Sequence, residues 1–94
     1  MRTITLVQPE TKQLTKEDKY YLAISSDSLY VLVKRNNDWC FIETIIVGED
    51  RDAYIVEFDN LDDMLDIISI VKSVINQNGS INLERHFNLQ YHSA

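Results

Sequence analysis

The chain has 94 residues, of which 45% are hydrophobic and 26% charged, and it carries a net charge of −6. That length suits one domain, expected over residues 1–94, and the apolar content excludes a disordered chain. Its two glycines and one proline leave little for linkers, and its short apolar runs fall far below the roughly 18 residues of a membrane helix.

Residues 2–8 alternate, with Ile4 and Leu6 against Thr3, Thr5 and Val7, which predicts a strand that Pro9 ends. Residues 10–18 are polar apart from Leu14. Thr15 and Asp18 have the spacing to cap one helical turn, with no apolar stripe behind it to bury. A second strand is expected over 19–25, with Tyr20, Leu22 and Ile24 on one face, and a Ser25-Ser26-Asp27-Ser28 turn comes after it. Residues 29–34 form the third strand, Leu29, Val31 and Val33 alternating with Tyr30 and Leu32. Asn36-Asn37-Asp38 makes the next turn, where asparagine tolerates left-handed backbone. The fourth strand, 39–47, is apolar on both faces: Trp39, Phe41, Ile45 and Val47 on one, Cys40, Ile42 and Ile46 on the other. A charged loop at 48–52 leads to a fifth strand, 53–58, with Tyr54, Val56 and Phe58 aligned. Short connections favour an antiparallel meander, because parallel neighbours need long crossovers.

The period then changes to that of a helix over 60–77. Asp59 or Asn60 supplies its cap, Asp62 and Asp63 sit where the helix dipole favours carboxylates, and Asn78-Gly79 stops it. At about 100° per residue its apolar positions cover roughly 220°, more than one sheet face needs. The surplus falls on Ile67, Ile70 and Val74, which are the expected self-association residues of a homodimer. Beyond Gly79 the odd positions from Ile81 to Tyr91 are apolar, apart from Arg85, which predicts a last strand at 81–91; a short helix at 82–88 competes with it. The fold class is therefore α+β: an antiparallel meander of five to six strands packed on one long helix, with a final strand after it.

Charge is unevenly placed. Residues 36–71 hold ten acidic side chains against Arg51 alone. Glu49, Asp50, Asp52, Asp59, Asp62, Asp63 and Asp66 define an acidic face. It suits solvation first, then a basic protein partner or mimicry of nucleic acid; direct nucleic-acid binding would need clustered Lys and Arg. As oxygen ligands for a hard cation these residues lack the EF-hand spacing. His86 and His92 are spaced too far apart to chelate together, and Cys40, between Trp39 and Phe41, is expected to be structural. The five tyrosines, Tyr20, Tyr21, Tyr30, Tyr54 and Tyr91, suit cross-strand packing, or an aromatic binding surface.

No phosphate loop, nucleophile elbow or zinc spacing occurs, so no catalytic, cofactor or metal residue is named and no cofactor is expected. A lone cysteine and an N-terminus without an apolar core point to the cytoplasm, and the Ile, Asn, Lys and Tyr content suits a bacterial or phage source. The expected function is a non-catalytic protein-interaction module, a small acidic adaptor or inhibitor. The alternative is a ligand-binding domain or enzyme with a pocket between helix and sheet, with Cys40, His86 or Tyr91 at its mouth.

Overall fold

The computed structural model describes residues 1–8, 19–36 and 38–91. Pro9, Leu14, the Thr15–Asp18 turn, Asn37 and His92 lie outside them. The elements in chain order are β1 (Arg2–Val7), β2 (Tyr20–Ile24), β3 (Leu29–Arg35), β4 (Asp38–Ile46), β5 (Tyr54–Phe58), α1 (Leu61–Asn78), α2 (Leu83–His86) and β6 (Phe87–Tyr91). The fold is α+β: six strands form one sheet, packed on the long helix α1, with the last strand after the helix.

The sheet order is β4-β3-β2-β5-β1-β6. Strands β2, β3 and β4 are the meander that their short turns dictate. Strand β5 does not continue it; it pairs antiparallel with β2 on one side and β1 on the other. The sheet is mixed rather than wholly antiparallel, because β6 returns beside β1 in parallel. The helical segment between β5 and β6 supplies the long connection that brings β6 to that edge. The two readings of residues 81–91 each hold in part: α2 takes Leu83–His86 and β6 takes Phe87–Tyr91.

Helix α1 begins and ends where local chemistry requires. Asn60 Oδ1 accepts the Asp63 amide at 2.9 Å, while Asn60 Nδ2 donates to Asp63 Oδ2 at 3.0 Å. Gly79, at φ 82°, closes the helix by donating its amide to the Ile75 carbonyl. The buried stripe is Met64, Ile67, Val71 and Ile75, which fall within about 80° of one another at about 100° per residue. They pack on Ile4, Leu6, Leu22, Ile24, Val56 and Phe58 from the sheet, with Ile81, Leu83 and Phe87 closing the same core.

That orientation corrects one expectation. Ile67 is 2% exposed and belongs to the subunit's own core, so it is not available for self-association. Ile70 and Val74 are half-buried and pack on the margin of the same core. The helix is rotated so that Leu61 and Leu65 carry its exposed apolar surface instead.

Strand β4 departs from strict alternation. Its pairing with β3 shifts twice, leaving Ile42 and Ile45 without partners opposite them. Each is an extra residue that reverses the facing of the residues after it. Trp39 and Phe41, opposite Lys34 and Leu32, therefore lie on the face turned away from α1, whereas Ile45 and Ile46 pack toward the helix.

Candidate functional site

The far face of the sheet, opposite α1, is apolar at its centre. Val7, Tyr21, Ala23, Leu32 and Ile55 are buried there, with Tyr30 and Trp39 packed against them. Such a second buried layer requires strands that are apolar on both faces, and β2, β3 and β4 are. Tyr21 meets Trp39 edge-on at 5.0 Å between ring centroids, and Tyr30 lies tilted against Phe41 at 5.1 Å. Lys34 Nζ sits 4.6 Å from the centre of the Trp39 ring, a cation–π contact. Tyr21 Oη donates to Glu57 Oε2 at 3.0 Å, which gives this buried carboxylate a partner.

Beside this layer runs a groove of about 310 Å³. Its floor is Ala23, Leu32, Ala53 and Ile55, its wall Tyr30, Trp39 and Phe41, and its polar end Ser25, Asp50 and Arg51. Edge strand β4 forms its rim. Among the described residues β4 pairs with β3 alone. Phe41 is 68% exposed, Ile42 59%, and Val47, just past the strand, 78%.

The acidic residues do not form one surface. Glu49, Asp50 and Asp52 precede β5, whereas Asp59, Asp62, Asp63 and Asp66 come after it. A five-residue strand at ~3.3 Å per residue keeps the two groups well apart. Asp50 is structural: its carboxylate accepts the Ser26 amide at 3.1 Å and the Asp52 amide at 2.9 Å. Asp27 does the same for the amides of Glu49 at 3.0 Å and Asp50 at 3.1 Å, tying the β2–β3 turn to the β4–β5 loop. Both carboxyls titrate below the usual aspartate value. The Glu49 amide is the main cause for Asp27 and the Asp52 amide for Asp50.

In the second group Asp59 pairs with Lys19, and Arg2 bridges to Asp66 at 3.2 Å and Asp63 at 3.9 Å. These exposed ion pairs neutralise part of the helix-start charge and add little stability. Glu49, Asp52 and Asp62 are exposed. Among the described residues no three His, Cys, Asp or Glu side chains gather as metal ligands would.

Two other clefts flank the sheet. One of about 510 Å³ is lined by Ser25, Asp50, Asp52, Tyr54, Asn82 and Glu84, among others. One of about 290 Å³ lies by Arg2, Thr5, Glu57, Asp59, Asp63 and Ile67. Neither these nor the groove is lined by Cys40, His86 or Tyr91. Cys40 cannot meet His86 either. Strand β4 lies at one edge of the sheet, and His86 leads into β6 at the other. At ~4.8 Å per strand spacing the two edges are ~24 Å apart.

The groove and the exposed β4 rim are what sequence reasoning missed. It placed Trp39 and Phe41 together but also put Ile45 and Val47 with them, because alternation alone does not reveal a bulge. The one signal in the sequence was a strand apolar on both faces. No protein-family model, curated protein or solved structure matches the chain. Among the described residues no helix is long and apolar enough to cross a membrane.

Proposed function

We propose that this protein is a non-catalytic interaction module that binds a protein partner along β4 and the loop after it. The observation that carries the reading is the exposure of Phe41 and Ile42 on a strand paired only on its inner side among the described residues, and of Val47 just past it. An exposed apolar edge strand invites association, and proteins ordinarily blunt such edges. Here the two bulges locally break the pairing pattern, yet apolar side chains remain outermost. Glu49 and Asp52 follow Val47 in the exposed loop after β4, so a partner with apolar contacts and a basic rim fits this end best. Such a module would serve as an adaptor or inhibitor, and the single free cysteine, Cys40, suits the cytoplasm. The partner is a second copy of the chain or another protein, and sedimentation distinguishes the two.

The test compares wild type with a Phe41→Ser, Ile42→Ser double variant, each immobilised and exposed to host lysate. Wild type is expected to retain one stoichiometric protein, or to sediment as a dimer, and the variant to lose that association while keeping its fold. If the folded variant retains the same protein, β4 is not the contact surface. A wild type that sediments as a monomer and captures nothing refutes the reading.

A further inference from the structure

We infer that the β4 edge pairs antiparallel with the same edge of a second copy of the chain, about a two-fold axis at Cys40; this rests on the partner-binding reading above and names the partner. The outward N–H and C=O groups of an edge strand are a template for another strand. Bulges ordinarily spoil such a template, but both bulges of β4 lie in its second half, at Ile42 and Ile45. Asp38–Phe41 face Arg35–Leu32 without a shift, so among the described residues a regular stretch stays open at the edge.

Charge along this edge selects a second copy as the occupant. Lys34 and Arg35 stand at its start, Glu43 in its second half, and Glu49 and Asp52 in the loop beyond. Arg35 and Glu43 are exposed, and neither joins an ion pair among the described residues. An edge basic at one end and acidic at the other is complementary to itself when turned end for end. A parallel copy would set like charges together. Glu43 faces Val31, and Arg35 lies four residues along from Val31, so both charges are on the α1 side of the sheet.

Side-chain facing selects the register, because opposed residues of an antiparallel pair share a face. Trp39 and Phe41 both lie on the face away from α1, with Cys40 between them. With the axis at Cys40, Trp39 of each copy faces Phe41 of the other, an aromatic cross-strand pair. Moving the axis to Phe41 sets Trp39 against Glu43, which the bulge has turned to the other face. Moving it to Trp39 leaves Phe41 beyond the start of the other strand. With the axis at Cys40, Arg35 of one copy lies two strands and one residue from Glu43 of the other. That is ~10 Å between Cα atoms, within the joint reach of the two side chains.

The full chain is sedimented from about 10 μM to 1 mM at 0.15 M salt, which screens the charge of −6 on each copy beyond ~8 Å. So short an edge is expected to dimerise with a Kd on the order of 100 μM. Arg35→Glu and Glu43→Lys, both at exposed positions, should each weaken the dimer about tenfold and leave the thermal melt of the monomer in place. An equal mixture of the two variants should dimerise like wild type, because each glutamate then meets a lysine or an arginine. Opposed Cys40 residues would stand roughly 4.5–5.5 Å apart between Cα atoms, within disulfide range. Diamide, which takes up the two electrons and two protons that the two thiols lose, should therefore link wild-type dimers through Cys40.

A wild type that stays monomeric at 1 mM overturns the inference. So does a mixture of the two variants that associates no better than either alone, or a dimer that diamide leaves unlinked. Capture of a different protein through β4 by a monomeric chain upholds the partner-binding reading and overturns this one, so the two failures are distinguishable.

Discussion

Asp27 ties two loops of the fold together. Its side chain accepts the amides of Glu49 and Asp50 and the hydroxyl of Ser28, and so anchors the β4–β5 loop. Gly48 makes the approach possible. A Cβ there would lie 2.2 Å from Asp27 Oδ1 and 2.5 Å from the Asp27 carbonyl oxygen, the latter a backbone atom that cannot swing aside. Gly48→Ala is expected to cost about 1–3 kcal/mol in denaturant unfolding, as other forced overpackings do. A neutral result would show that the loop does not hold this position.

The same anchor gives a pH dependence of definite sign. The folded pKa values of Asp27 and Asp50 lie below the ordinary value of 3.8. The unfolded chain therefore binds these protons first as pH falls. Their contribution is complete above the ordinary value and is lost as pH drops through the folded values. Carbon-13 titration of the two carboxyls should show both midpoints depressed, and an ordinary midpoint at Asp27 would deny the anchor. The sequence marked Asp50 as part of a partner-binding face. Its structural role was not legible there because it depends on a contact between two loops more than twenty residues apart.

At the scale of the element, α1 was legible in its ends and not in its rotation. Asn60 and Gly79 fix the termini by local hydrogen bonds, which sequence displays directly. The rotation depends on the shape of the sheet beneath, which sequence does not display. An apolar arc of roughly 220° permits several choices of centre, and the sheet selects the one that buries Ile67. Two substitutions to the same residue, two positions apart, separate the alternatives. Ile67→Glu should unfold the protein, since a buried unpaired charge costs several kcal/mol. Leu65→Glu, at a position 50% exposed, should shift stability by no more than about 0.5 kcal/mol. Thermal melts of the two variants decide it: equal destabilisation would mean that the buried stripe lies nearer Leu65. Residues 81–91 show the complementary limit. Period-two alternation from Ile81 onward is real, but Asn82 accepts the Glu84 amide at 3.1 Å and turns the first part into α2. A helical turn and a strand then share one apolar pattern.

For the whole molecule, strand existence was legible and strand order only in part. Short turns dictate β2-β3-β4, but nothing local says that β1 enters between β5 and β6. That order makes the two sides of the sheet unequal. Strands β3, β2, β5 and β1 are each flanked by two neighbours, and their residues supply much of the core. Strand β4 has β3 alone among the described residues, carries two bulges, and has no fully buried side chain. Few buried contacts and a single ladder define a unit that opens below the global unfolding free energy.

Hydrogen exchange should therefore find the β4 amides that bond to β3 at least about tenfold less protected than those of β5. The interest of that difference is functional. A partner that binds only the closed form of β4 stabilises it by mass action, so protection there should rise with partner concentration while β5 stays near its global limit. Equal protection of β4 and β5 in the unbound protein would mean that the edge opens only with the rest of the sheet. The partner would then meet a surface as rigid as the core, and its binding would leave the β4 pattern unchanged relative to β5.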